Sequence, residues 1–564
     1  IELDKQRLPM FPDDDWFLSK VEVKSPEGHT YRFPIPPGIC RSMFLMTLLF
    51  SIFPRWYAFK EGLPHCIEAE NLSSLPCEVR FSFTKQTEFL FTAAAGLVEL
   101  QLKGLDDCHE PWADIDNVDR VFCSRQTDIS EYVQKHWKED ALFGNQYLNG
   151  VNPILIKRCK VLPDNFPVTD DMVFLCGQGS LAEEMKRGNI FLCDYKRLDG
   201  VQANTINGKR QYLMAPLVLL HKTPNDKLMP IAIQLRQTPA DNNPIFNPAD
   251  SCYDWLIAKI FVRSADFNEH QLNVHLLRTH LLAEVFAVSL LRNIPAVHPL
   301  YKLLVPHTRY TLQINYLARN LLISDKGVFS QKSLSAVTYS SLCLPEDIAE
   351  RGVEDIPNYY YRDDGLRLWN IIHRFVDGVL RFFYKNDGEV EQDTELQKWI
   401  RDIFEHGFLS QVDTGIPRRF TTVGELIKFV TMVIFTCSGQ HSAVNTGQYD
   451  FGGWMPNTPI TLQCPPPTKK GTTSEDIMLR TFPYISTTVQ GMSTMWLLSK
   501  QSSDFVPLGQ YQEGHFSEEI PCNMIQAFQR ELKLLSEAIK WRNKSLDIPY
   551  TYLDPAELEN SVAI

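Results

Sequence analysis

His270-Gln271-Leu272-Asn273-Val274-His275-Leu276-Leu277-Arg278-Thr279-His280 is the stretch on which the fold turns. It places histidines at intervals of five inside an apolar segment, Phe267–Leu291, whose periodicity is helical. In a regular α-helix five residues turn about 500°, leaving successive histidines about 140° apart. His275 and His280 therefore share a face only if the helix is locally rewound. One inserted π-turn does this, and such turns concentrate at functional sites. A single histidine here reads as a satisfied core residue, whereas a pair flanked by Leu276, Leu277, Leu281 and Leu282 reads as metal ligands.

A second segment, Val430–Tyr449, carries His441 and Asn445. Their i,i+4 spacing sets them about 40° apart on one helical face. Imidazoles and an amide oxygen are borderline-to-hard donors that suit Fe(II), where a structural zinc site uses thiolate. The chain closes Glu559-Asn560-Ser561-Val562-Ala563-Ile564. Taken alone this tail reads as a frayed end. Were Ile564 buried, its carboxylate would need a cation, which iron would provide.

The wider composition frames these motifs. Among 564 residues, 56 Lys+Arg stand against 68 Asp+Glu, a net charge of 56 − 68 = −12, which argues against nucleic acid as a partner. At 44% hydrophobic and 22% charged residues the chain is of globular type. Thirteen cysteines without a C-x-x-C pair fit a reducing, cytoplasmic setting and no thiolate zinc site. Ile1-Glu2-Leu3-Asp4 is no signal peptide, and the chain is expected to begin inside a longer protein. The longest apolar run, Ile39–Phe53, is shorter than the roughly 20 residues of a membrane-spanning helix.

Strands are expected at Trp16–Leu18, Val21–Lys24 and Tyr31–Phe33, with a boundary at Pro34–Gly38. The body beyond reads as one mainly α unit. Helices are expected over Asp128–Phe143, Phe267–Leu291, Leu366–Tyr384, Glu395–Phe408, Val423–Ala443, Thr488–Ser499 and Met524–Asn543. Val173–Cys176 followed by Gly177-Gln178-Gly179-Ser180-Leu181-Ala182 imitates a strand with a G-x-G-x-x-A loop. Its following helix, Leu181–Arg187, is only about two turns long, and no alternation of strands and helices follows. It reads as a plain glycine-rich loop. Walker-type and nucleophile-elbow motifs are absent.

Together these residues resemble the lipoxygenase family, in particular the animal fatty-acid lipoxygenases. The resemblance rests on His270-Gln271-x-x-x-His275-x-x-x-x-His280-x-x-x-Glu284, His298-Pro299-x-x-Lys302-Leu303-Leu304 and Tyr359-Tyr360-Tyr361-Arg362-Asp363-Asp364-Gly365. It continues through Gln440-His441-x-x-Val444-Asn445-x-Gly447-Gln448-Tyr449-Asp450 to Asn560-Ser561-Val562-Ala563-Ile564. It implies a helical lipoxygenase-type catalytic domain over residues 36–564, preceded by the C-terminal part of a PLAT/C2-like β-sandwich over residues 1–35.

The same resemblance implies one non-haem iron held by His275, His280, His441, the carboxylate of Ile564, and Asn445 as a weak or water-bridged ligand. Gln271 and Gln448 would hydrogen-bond around it. Phe267, Leu276, Leu281, Leu322 and Leu498 would line a substrate tube, with Phe143 and Tyr147 near its entrance. Ala318 matches the position where Ala accompanies S products and Gly accompanies R products, while Leu317 stands where some relatives carry a basic residue. The implied activity is addition of O2 to polyunsaturated fatty acids with a cis,cis-1,4-pentadiene, arachidonate-like chains above all, giving S-hydroperoxides. Reversible membrane contact, and Ca2+ in a complete β domain, accompany the family reading. The alternatives are a hydroperoxide isomerase on the same fold and a lipid-binding protein with a structural metal.

Overall fold

A 42-residue helix, Cys252–Asn293, runs through the middle of the molecule. Ser251 caps its start by accepting a hydrogen bond from the Asp254 N–H at 3.2 Å. Ile294 turns extended at its end, ahead of Pro295. The helix is long and apolar enough to cross a membrane, yet 89% of its apolar window is buried by the protein itself, so its hydrophobicity serves the core. The computed structural model that shows this describes residues 20–24, 30–34, 54–75, 79–102, 108, 110–119, 127–174, 179–321, 337–512 and 514–564.

Other helices pack around this axis. Val423–Phe435, apolar on most of its circumference, continues through a π-helical stretch, Thr436–Gln440, into His441–Asn445. Thr422 starts it with a capping box to Glu425. Tyr360–Phe383 lies against both Val423–Phe435 and the long C-terminal helix Glu519–Asn543. Phe375 and Phe528 stack across the second of these contacts with ring centroids 4.4 Å apart. The expected segment Asp128–Phe143 divides into Asp128–His136 and Asp140–Asn149, because Glu139 is extended and starts a new helix. Leu366–Tyr384, Thr488–Ser499 and Met524–Asn543 all begin earlier than expected, at Tyr360, Ile485 and Glu519.

The body also holds a five-stranded antiparallel sheet that the periodicity did not announce. Its order is Ile245–Phe246, Leu228–Gln234, Leu217–Lys222, Ile190–Asp194, Lys157–Arg158. Val218 sits opposite Ile233 on one side and Cys193 on the other. Four successive buried residues in Leu217–Leu220 and in Ile190–Cys193 show why: strands covered on both faces lose the alternation that marks a strand in sequence. A register shift at Pro230, which has no N–H to donate, interrupts the ladder.

The N-terminal expectation holds for Lys20–Lys24 and Thr30–Pro34, which pair antiparallel with Val23 opposite Tyr31. Trp16–Leu18 and Ile39–Phe53 lie outside the described residues. Val173 ends a helical turn, Asp170–Val173, rather than opening a strand. Ser180 leads into the short helix Leu181–Arg187, while residues 175–178 of the glycine-rich loop lie outside the described residues.

Candidate metal centre

The central helix changes its winding where the histidines stand. Residues His270–Leu281 are π-helical, a longer stretch than the single turn expected from the spacing of five. The wider winding turns His275 and His280 to one side, with their Nε2 atoms 3.1 Å apart. A second π-helical stretch, Thr436–Gln440, ends where His441 begins and was not foreseen. Ligand nitrogens of His275, His280 and His441 all lie within 4.8 Å of one another, and all three residues are buried. His270 is turned away, its Nε2 lying 2.7 Å from the Val444 carbonyl.

Burial sets the charge of these rings. Desolvation pushes His280 down to about 4. It pushes His275 and His441 well below the ordinary imidazole value, helped by repulsion from neighbouring imidazoles. Each ring is therefore neutral at physiological pH with a lone pair free to bind a cation. Cys437, one turn before His441, is buried and pushed up to about 12, so it remains a thiol and no thiolate joins the set.

The chain end completes the cluster. Ile564 is 7% exposed, and its main-chain oxygen lies 3.1 Å from His441 Nε2. The tail is held by one antiparallel bridge, Pro507 opposite Glu559: Leu508 N–H donates to the Leu558 carbonyl at 2.9 Å, and Asn560 N–H donates to the Val506 carbonyl at 3.0 Å. His307 Nδ1 lies 2.7 Å from the Asn560 carbonyl. Beside the tail, Arg309 approaches Glu559 at 3.7 Å and donates to Asp504 at 2.9 Å. Burial alone would push Asp504 up, but donors on Ser82, Tyr310, Ser502 and Arg309 outweigh it and hold the carboxyl down to about 2. Because the folded value lies below the ordinary 3.8, this carboxylate stabilises the fold above that pH. The contribution is expected to fade as pH falls toward about 2, and denaturant midpoints of wild type and Asp504→Asn should converge over that window.

Around the cluster runs a chain of amides. Gln271 Nε2 donates to Gln448 Oε1 at 2.6 Å, and Gln448 Nε2 donates to Asn445 Oδ1 at 2.7 Å. Asn445 Nδ2 in turn donates to the Leu498 carbonyl at 3.1 Å. The amide oxygen of Asn445 thus has one lone pair engaged and one free. Three neutral imidazoles, an amide oxygen and a main-chain terminal oxygen make a donor set that fits a divalent iron and lacks the softness of a thiolate site.

The expected pocket residues divide. Leu276 and Leu281 flank the two histidines on the central helix, and Leu498 adjoins Asn445 through its carbonyl. Phe267 and Ala318 are half-buried, Ala318 lying on the helix Thr311–Leu321. Leu322 lies outside the described residues. Phe143 and Tyr147, expected near the pocket entrance, are buried. Both are interior, under the Arg263 guanidinium, whose carbon is 4.2 Å from the Phe143 ring centre. Tyr147 shares a 3.0 Å hydrogen bond with Tyr195, so packing and polar satisfaction explain both residues.

A mainly helical body with a buried cluster of three imidazoles beside an amide oxygen and a main-chain oxygen, able to hold a metal ion, fits a class of non-haem metalloprotein. Residues 109–550 match the sequence profile of the family Lipoxygenase, and the chain belongs to that family, whose members are non-haem iron proteins. It is 48% identical over 526 residues to the polyunsaturated fatty acid lipoxygenase ALOX15B of Rattus norvegicus, covering 90% of this chain and 78% of that one. It is 45% identical to the hydroperoxide isomerase ALOXE3 of Homo sapiens, covering 100% and 91%. Among solved structures, coral 8R-lipoxygenase superposes with a TM-score of 0.90 at 34% identity, over 98% of this chain and 88% of that one. A lipoxygenase solved in complex with arachidonate gives 0.90 at 33% identity, over 98% and 89%. The helical lipoxygenase fold is thereby established.

Proposed function

We propose that this chain is an iron-dependent dioxygenase that adds O2 to arachidonate-like polyunsaturated fatty acids and releases S-hydroperoxides. The observation that carries the reading is the meeting of His275, His280 and His441 with the oxygen of Ile564 in a buried cluster. These four, with Asn445, would hold the ion. When bound, iron supplies the one-electron redox chemistry by which a bis-allylic hydrogen leaves the substrate. The protein's residues supply the rest. Burial keeps the imidazoles unprotonated, and the Gln271–Gln448–Asn445 chain fixes the amide that faces the site. Leu276, Leu281, Phe267 and Leu498 present apolar surface to a hydrocarbon chain and exclude water and stray oxygen from the carbon radical.

The similarity to polyunsaturated fatty acid lipoxygenases, and the arachidonate complex of a structural neighbour, support this substrate class. We take residues 1–35 as the C-terminal part of a PLAT/C2-like β-sandwich, whose complete form would bring Ca2+ and reversible membrane contact to a cytoplasmic protein.

The test is oxygen uptake with free arachidonate, followed as conjugated-diene absorbance and by chiral analysis of the product. Wild type should consume oxygen and give an S-hydroperoxide. Conversion of an added hydroperoxide without oxygen uptake would move the chain to the isomerase chemistry named for ALOXE3. Iron-loaded protein inert toward both would leave a structural metal. Ala318→Gly is expected to shift the product toward the R isomer with iron content unchanged.

A further inference from the structure

Two i,i+4 pairs face each other beside the cluster: His280 and Glu284 on the central helix, Asn315 and Arg319 on Thr311–Leu321. Glu284, 0% exposed, accepts from Arg319 Nη1 at 2.6 Å and from Asn315 Nδ2 at 2.8 Å through one oxygen. Its other oxygen accepts from the Ile67 N–H at 3.0 Å. Asn315 Nδ2 also donates to the His280 carbonyl at 2.7 Å, while Asn315 Oδ1 lies 2.8 Å from His280 Nδ1.

Counting donors leaves one solution. A guanidinium only donates and a carboxylate paired with it only accepts. The nitrogen of the Asn315 amide must therefore point at Glu284 and the His280 carbonyl, which turns its oxygen to His280. His280 Nδ1 must then carry the proton, and its Nε2, 3.1 Å from His275 Nε2, is left with the lone pair facing the cluster.

We propose that Arg319, Glu284 and Asn315 form a relay that fixes the tautomer and ring orientation of His280 for metal binding, with Asn315 and Glu284 as positioning residues. The proposal rests on the iron reading above and adds to it. The relay's outer end is the backbone of the short strand Cys66–Ile67, so one buried carboxylate joins that strand to a metal ligand.

Asn315→Ala in the full chain tests it, since the Glu284–Arg319 pair stays intact. Iron release into a chelator and the rise in melting temperature on adding iron are measured for variant and wild type. Iron affinity is expected to fall about 10–100-fold. The iron-dependent part of the melting temperature should shrink more than the melting temperature of the iron-free protein. Equal iron release and an equal iron-dependent rise would overturn the relay and leave the iron reading standing. Wild type that takes up no iron would overturn the iron reading itself. Should the alanine variant not fold, Asn315→Leu keeps the volume while removing both polar atoms, with the same release rates expected and the same equality overturning the relay.

Discussion

His280→Ala is expected to abolish bound iron and turnover together. The ring lies between His275, 3.1 Å away through Nε2, and Asn315, 2.8 Å away through Nδ1. Its removal takes one of three imidazoles from the cluster and leaves a buried amide oxygen unpaired. An unmet acceptor of that kind costs about 1–3 kcal/mol, enough to lower the melting temperature without unfolding a large domain. Loss of a direct ligand should exceed the roughly 10–100-fold that loss of an outer partner costs. Metal analysis of the purified variant and diene formation from arachidonate check both halves. Stoichiometric iron with normal turnover would remove His280 from the ligand set.

Extending the chain by one residue beyond Ile564 is expected to be equally severe, for a different reason. Val562, Ala563 and Ile564 are all buried, and the tail is bonded on both sides of Glu559 to the 506–508 segment. An added residue needs roughly 3.3 Å of further chain in an interior packed as densely as a crystal. It also converts a charged carboxylate at that position into a neutral amide, removing the negative charge that pairs with a metal. Iron content and oxygen uptake should fall together. Ile564→Val is the control: it keeps the carboxylate, deletes one methylene at about 0.5–1.5 kcal/mol, and should keep its iron. An extended chain that retained full iron and activity would show that the terminal oxygen is not a ligand.

The motif-level reading of the site was legible because it depends on local spacing. Histidines five apart in an apolar helix demand rewinding, and His441 with Asn445 must share a face at four apart; both conditions are met by backbone geometry alone. The family resemblance carried the assignment of the chain end, since nothing local in an apolar tail says whether it is buried. The surroundings of Phe143 and Tyr147 were not legible locally, because their neighbours Arg263 and Tyr195 come from distant parts of the chain.

By itself the sequence determined the rewinding that brings His275 and His280 to one side, the shared face of His441 and Asn445, and the helical body, because each follows from residue type and period along one element. Only tertiary structure decided the π-helical stretch before His441, the double-sided sheet, and the partners of His280. The sheet hides because burial on both faces erases alternation. Glu284 and Asn315 hide because hydrogen-bond satisfaction is a property of two helices facing each other, and either helix alone shows only a polar residue in an apolar run.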